Sequence, residues 1–140
     1  MSLKWIRESP GRWDKHKASI IAGAPPGVFD FGLVADGSLL PGEWWRVEEG
    51  GKVLGYGWMD ATWGDAEVLL AVAQTEREHG IGTFIMDRLE DEARLRGLNH
   101  LYNLVPAKHP NPKRLQAWLE KRRFQPSEDG RVLRRIVGAG

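Results

Sequence analysis

The residues best suited to chemistry lie together in one stretch, Val72-Ala73-Gln74-Thr75-Glu76-Arg77-Glu78-His79-Gly80-Ile81-Gly82-Thr83. An apolar run stops, a short polar turn follows, and two glycines one residue apart open a helix-forming segment. The first turn of a helix carries peptide N–H groups with no partner inside the helix, and its dipole is positive there. Glycines let a phosphate come close to that backbone and permit left-handed dihedrals. Arg77 adds a cation beside them. The chemistry that fits is a diphosphate cradle built mostly from main chain. On spacing alone, Gly80 and Gly82 would serve equally as a tight strand-to-helix connection. Two other phosphate motifs are excluded. A G-x-G-x-x-G fingerprint would need glycine where Ile85 stands, and G-x-x-x-x-G-K-[ST] is absent.

The elements that must position this stretch can be read on either side of it. Leu3–Arg7 reads as a first strand. Ser9-Pro10 reads as N-cap and first-turn proline of a helix carrying Trp13, Lys17, Ile20 and Ile21, ended by Gly23. Ala24 to Gly42 is rich in Gly and Pro and reads as a loop with at most one short element. A meander follows: Glu43–Glu49, a Gly50-Gly51 turn, Lys52–Asp60, a turn near Gly64-Asp65, and Glu67–Ala73. The last run is nearly all apolar, as in a strand covered on both faces. The longest helix should run from Gly80-Ile81-Gly82 to Gly97, with Ile81, Phe84, Ile85, Leu89 and Ala93 as its buried stripe. Glu90/Arg94 and Glu92/Arg96 would be i,i+4 pairs on its wet side. His100–Val105 is a further strand, and Asn111-Pro112 opens a helix with Leu115, Trp118 and Leu119 on one face. Phe124 and Arg131–Val137 close the sheet with a hairpin around Gly130. The order predicts an α/β fold of one domain over residues 1–140.

Arg77-Glu78-His79-Gly80-Ile81-Gly82 matches [RQ]-x-x-G-x-[GA] at every defined position, and here the chain resembles the GNAT superfamily of acyl-CoA-dependent N-acyltransferases. Val72, five residues earlier, matches that family's strand end. Glu92–Leu98 followed by Leu101–Val105 looks like its passage from helix to fifth strand. Trp118-Leu119-Glu120-Lys121-Arg122-Arg123-Phe124 resembles its closing L-Y-E-K-x-G-F pattern. The resemblance runs from about Lys52 to Phe124, and before residue 43 it rests on element order. It implies a mixed, mostly antiparallel central sheet splayed at the fourth strand and flanked by helices. It also implies acetyl-CoA as acyl donor and a small-molecule or peptide amine as acceptor, and it admits a homodimer. Val72 and Ala73 would offer main-chain groups to the pantetheine arm. The amides from Glu78 through His79, Gly80, Ile81 and Gly82 to Thr83, with Arg77, would hold the pyrophosphate. Asn111 lies near the asparagine that touches pantetheine in relatives, one residue further from Phe124 than usual.

Two positions depart from the pattern. Leu119 stands where the family has a tyrosine thought to protonate the leaving thiolate, and leucine cannot donate a proton. Arg123 stands where it has glycine. Tyr56 and Tyr102 are the only tyrosines. Amine attack on a thioester needs a neutral amine close to the carbonyl and a group to take its proton. Glu67 is the candidate base, since some relatives carry a glutamate near there. A one-residue slip would turn it to the other face, where it would be a solvated glutamate. Asp60 and Asp65 have similar claims. The missing tyrosine also motivates a second reading, an acyl-CoA-binding regulatory module with little or no catalysis.

Composition narrows the remaining classes. Twenty basic and 19 acidic side chains give a net charge of +1, no global field for nucleic acid or an anionic membrane. Cysteine is absent, which excludes disulfides, thiolate metal sites and a cysteine nucleophile. His16, His79, His100 and His109 are too far apart for familiar ligand spacing, so no metal is expected. No apolar stretch approaches the roughly 20 residues of a membrane span, and no signal core opens the chain, so a cytoplasmic protein is expected. Seven tryptophans are many for this length. Trp44, Trp45, Trp58 and Trp63 could line an acceptor cleft, but core packing is the plainer role, and adjacent Trp44 and Trp45 must face opposite sides of a strand. Lys108, Lys113, Arg114, Lys121, Arg122 and Arg123 make the last helix basic. They suggest the coenzyme's 3′-phosphate, a third reading as a nucleic-acid binder, or a solvated helix face. His79, inside the cradle, need offer only its amide.

Overall fold

The computed structural model describes residues 2–22, 35–76, 79–106 and 109–138. Seven strands form one sheet in the order β1-β2-β3-β4-β5-β7-β6. They are β1 (Lys4–Glu8), β2 (Glu43–Glu49), β3 (Lys52–Thr62), β4 (Asp65–Val72), β5 (His100–Leu104), β6 (Gln125–Pro126) and β7 (Val132–Ile136). Every pairing is antiparallel except β4 with β5. The helices are α1 (Lys15–Ala22), α2 (Ile81–Leu95) and α3 (Pro112–Glu120), with a single 3-10 turn at Gln74–Glu76. The fold is the expected mixed, mostly antiparallel sheet with flanking helices. No helix among the described residues is long and apolar enough to cross a membrane.

Both meander turns place two consecutive residues in the left-handed region, which matches the twist of the strands they join. Gly50 and Gly51 do so at φ 60 and 80, and Trp63 and Gly64 at φ 53 and 84. Helix α2 starts at Gly80 (φ 81) and ends at Gly97 (φ 69). There the Gly97 and Leu98 amides close back on the Arg94 and Ala93 carbonyls, a Schellman end.

Alternation along the strands splits the apolar residues into two cores. On the α2 face, Trp45, Val47, Met59, Val68, Leu101 and Leu133 meet Ile81, Ile85, Leu89 and Ala93 of α2 and Leu119 of α3. Trp5 stacks on Trp45 with ring centroids 5.5 Å apart, a contact that adds about 0.5–1.5 kcal/mol to area burial. On the other face Trp44, Tyr56, Trp58 and Ala71 pack against Ile20 of α1. Trp44 and Trp45 are thus both core, on opposite sides, and Trp58 is buried with them. Trp63 is the exception, 98% exposed at the tip of the β3–β4 turn.

Two expectations need correction. Helix α1 does not start at Ser9-Pro10, which is a bend leaving β1. Asp14 begins it, because its carboxylate accepts from the Lys17 amide at 2.8 Å. Lys17 is fully buried, its ammonium between Glu8 and Asp14 and over the Trp44 and Tyr56 rings. The pair Glu90/Arg94 forms at 2.8 Å, but Glu90 is 5% exposed and faces the core side, where it also binds Arg135 of β7 at 2.7 Å. The expected helix end at Gly23 and most of the expected loop, residues 23–34, lie outside the described residues.

Candidate active site

The sheet opens where its one parallel pairing fails. β4 and β5 share the rungs Asp65/His100, Ala66/Leu101 and Glu67/Tyr102, and then diverge. Asn103 ends the ladder by donating its side-chain amide to the Val68 carbonyl at 2.7 Å. On its other edge β4 stays paired with β3 to Val72, and the Ala73 amide donates to the Leu54 carbonyl at 2.8 Å. In an antiparallel ladder the peptide groups of successive residues point to alternate sides. With Ala73 turned toward β3, Val72 and Leu70 present their N–H and C=O groups to the gap. The Ala73 carbonyl accepts from the Glu76 amide at 2.9 Å, which starts the turn toward α2.

α3 forms the other wall of this fork, which holds two adjoining cavities. The outer one, about 590 Å³, runs from Leu70, Ala71 and Val72 past Gly82 to Asn111, Arg114 and Arg122. The inner one, about 470 Å³, is bordered by Glu67, Met86, Asn103 and Leu119. Both share Leu70, His109, Leu115 and Trp118.

At the mouth stands the first turn of α2. Gly80 caps it with no side-chain hydrogen bond, so the amides of Ile81, Gly82 and Thr83 follow a bare end. A Cβ on Gly80 would meet nothing within 4 Å, so its glycine answers to the positive φ. A Cβ on Gly82 would lie 2.9 Å from Cζ2 of Trp118, so that glycine admits the indole of α3. Arg77 and Glu78 lie outside the described residues. The His79 ring is exposed, with Nδ1 3.5 Å from Glu76. Asn111 is the N-cap of α3: its side-chain oxygen accepts from the Arg114 amide at 3.1 Å and its own amide donates to His109 Nδ1 at 2.9 Å.

At the closed end, Glu67 lies on the last β4–β5 rung, with Tyr102 across from it on β5 and Asp60 across from it on β3. Burial, then the Asp60 charge, raises the Glu67 carboxyl above its ordinary range. Burial, then Glu67 and Asp60, raises the Tyr102 phenol as well, so it keeps its proton. Asp65 is engaged by His100 Nδ1 at 3.0 Å. Tyr56 is 1% exposed in the opposite core, and burial drives its hydroxyl far above the ordinary range. Leu119, in the tyrosine position, is 1% exposed and part of the core. Among the described residues no group of three His, Asp or Glu is placed to hold a metal ion.

Asn103, not singled out from sequence, and Arg122, read there only as part of a basic run, shape the fork. Asn103 is 8% exposed within a strand, where asparagine is depleted, and that anomaly was its signal. Arg122 belongs to the basic run of the last helix but is not on a solvated face. Its guanidinium lies 3.7 Å from the Trp118 ring centroid and donates through Nε to Thr83 Oγ1 at 2.9 Å.

Residues 8–124 match the model of the acetyltransferase (GNAT) family. Comparison with curated proteins gave no match. Among solved structures, a GNAT-family protein from Desulfovibrio desulfuricans superposes with a TM-score of 0.70 at 15% identity, over 98% of this chain and 100% of that one. The ribosomal-protein-S18-alanine N-acetyltransferase of Escherichia coli gives 0.56 at 21% identity over 69% and 70%. N-acetylglutamate synthase of Neisseria gonorrhoeae, solved with coenzyme A and L-arginine, gives 0.67 at 18% over 96% of this chain but 33% of that one. The chain belongs to the GNAT acetyltransferase family.

Proposed function

We propose that this protein transfers an acetyl group from acetyl-CoA to a primary amine by direct attack within a ternary complex. The observation that carries the reading is the fork: a strand with no partner strand, among the described residues, on its Leu70 and Val72 edge leads from a carboxylate, Glu67, to a bare helix start at Gly80–Thr83. A pantetheine arm carries amides that complete such a strand edge, and a diphosphate suits the peptide N–H groups of the helix start. Val72 and Ala73 then flank the arm, with Ala73 mainly fixing the turn. His79, Gly80, Ile81, Gly82 and Thr83, with Arg77 and Glu78, surround the diphosphate. Asn111 acts by holding the start of α3 against the cleft.

At the closed end the amine nitrogen attacks the thioester carbonyl carbon, the C–S bond breaks, and the thiolate leaves. Glu67 takes the proton lost by the amine, and its raised pKa makes it a better base near neutrality than an ordinary carboxylate. Tyr102, on the same rung and still protonated, returns a proton to the thiolate, the part Leu119 cannot play.

Titration calorimetry with acetyl-CoA tests the binding half, and no heat at millimolar ligand, or unchanged binding in Gly82→Trp, would overturn it. Thiol release across a panel of small amines and peptides tests the chemical half. The buried Leu119 favours one competitor, a binding module without turnover; release of thiol with any amine removes it.

A further inference from the structure

Among the described residues the first turn of α2 offers only peptide groups to the mouth of the fork, yet the diphosphate of a coenzyme carries two negative charges. We infer that Arg122 is a cationic arm of the diphosphate site, held over the first turn of α2 by Trp118 and Thr83. The inference rests on the coenzyme reading above and adds a binding residue and its selectivity.

Three features of Arg122 converge. The first is position. Nε donates to Thr83 Oγ1 at 2.9 Å and Nη1 to the Trp118 carbonyl at 2.9 Å, which places the guanidinium beside the third residue of α2. It borders the outer cavity together with Arg114 and Asn111. The second is preorganisation. The guanidinium stacks on Trp118 at 3.7 Å, and the indole is fixed in turn by the space that Gly82 leaves for it. The third is unspent capacity. A guanidinium has five N–H donors, and two are used among the described residues. Among the described residues no carboxylate lies within ion-pair distance of it. The carboxylate whose charge bears on it, Asp87, is itself bound by Arg135 at 2.9 Å. Burial lowers the Arg122 pKa, the mark of a cation whose surroundings do not compensate it. By contrast Arg94, Arg96, Arg123 and Arg135 are each ion-paired. A half-buried, stacked guanidinium that borders a cleft with donors unspent among the described residues suits bidentate recognition of phosphate oxygens.

The test compares three ligands by calorimetry: coenzyme A, its analogue lacking the 3′-phosphate, and pantetheine, which lacks the diphosphate. Arg122→Gln should weaken coenzyme A about ten- to a hundredfold, weaken the 3′-dephospho analogue equally, and leave pantetheine unchanged. Arg122→Lys keeps the charge but loses the fork, and should fall between. Should Arg122→Gln fold poorly, Arg122→Lys still decides, because it must weaken coenzyme A and the 3′-dephospho analogue alike and leave pantetheine unchanged. Equal affinity of Arg122→Gln and wild type for coenzyme A overturns the inference, as does an equal loss for pantetheine. A loss confined to ligands with the 3′-phosphate overturns the diphosphate assignment. If the wild type binds no coenzyme A, it is the underlying functional reading that fails, before any variant is made.

Discussion

Glu90→Ala would remove a buried carboxylate on which four donors converge behind the site. One carboxylate oxygen of Glu90 accepts from Arg135 Nε at 2.7 Å and Arg123 Nη2 at 3.1 Å. The other accepts from Arg94 Nη2 at 2.8 Å and the Gly138 amide at 3.3 Å. Its side chain and that of Arg135 are 6% and 3% exposed. Breaking a buried pair by removing one partner costs about 3–5 kcal/mol, because the other charge is stranded. Arg135 keeps Asp87 at 2.9 Å, so the lower end, about 3 kcal/mol, is expected. An unfolding entropy of about 2.1 cal/mol/K per residue gives about 0.3 kcal/mol/K for 140 residues, hence a Tm lower by about 10 °C. Differential scanning calorimetry reads this directly. Glu90→Leu combined with Arg135→Met should recover most of the loss, since apolar replacement of a buried pair is often neutral. A Tm for Glu90→Ala within about 3 °C of wild type would refute the reasoning, and would mean that water reaches this carboxylate as it reaches a surface one.

Two further predictions concern the closed end of the fork and the exit from α3. Because the Glu67 pKa is raised, its base form appears only above the ordinary carboxylate range. The acid limb of the kcat/KM profile should lie there, move to lower pH in Asp60→Asn, and vanish in Glu67→Gln with a loss of about 10²–10⁴-fold. The same sign applies to stability: a raised folded pKa favours the fold at acid pH and is lost as pH rises, so Glu67→Gln should melt higher than wild type near pH 7 and not near pH 3. Arg123 sits at φ 70 with a 65% exposed side chain, so its Glu90 contact offsets little of the left-handed strain. Chemical denaturation should therefore find Arg123→Gly more stable than Arg123→Ala by about 1 kcal/mol, and the reverse order would contradict that account.

Much of the molecule was legible because backbone requirements leave residue-type marks. Gly50-Gly51, Gly80 and Gly97 stand where φ is positive, and the apolar stripe Ile81, Ile85, Leu89 and Ala93 stands at helical spacing. Even Arg123, which breaks the family pattern, adopts the left-handed conformation that glycine would take there. What could not be read were partnerships made across the chain. Glu90 has its expected neighbour Arg94 one turn away, and nothing local reveals that Arg135 and Gly138, 45 and 48 residues on, convert the pair into a buried one. The start of α1 was misread for a related reason. Ser9-Pro10 and Asp14 are both valid local starts, and Lys17 decides between them only once Glu8 of β1 is beside it.

The same distinction divides the site itself. Its outer end is specified by main chain, through two glycines and a helix start, and such a device is visible in seven consecutive residues. Its closed end is specified by side chains from three strands: Asp60 on β3, Glu67 on β4 and Tyr102 on β5. These meet only because the β4–β5 pairing runs for three rungs and then stops at Asn103. Pairing of one more rung would close peptide hydrogen bonds over the gap, and pairing of one fewer would separate the phenol from the carboxylate. The length of that short parallel ladder, set by a side-chain amide bound to the Val68 carbonyl, therefore fixes both the depth of the fork and the identity of the groups at its end.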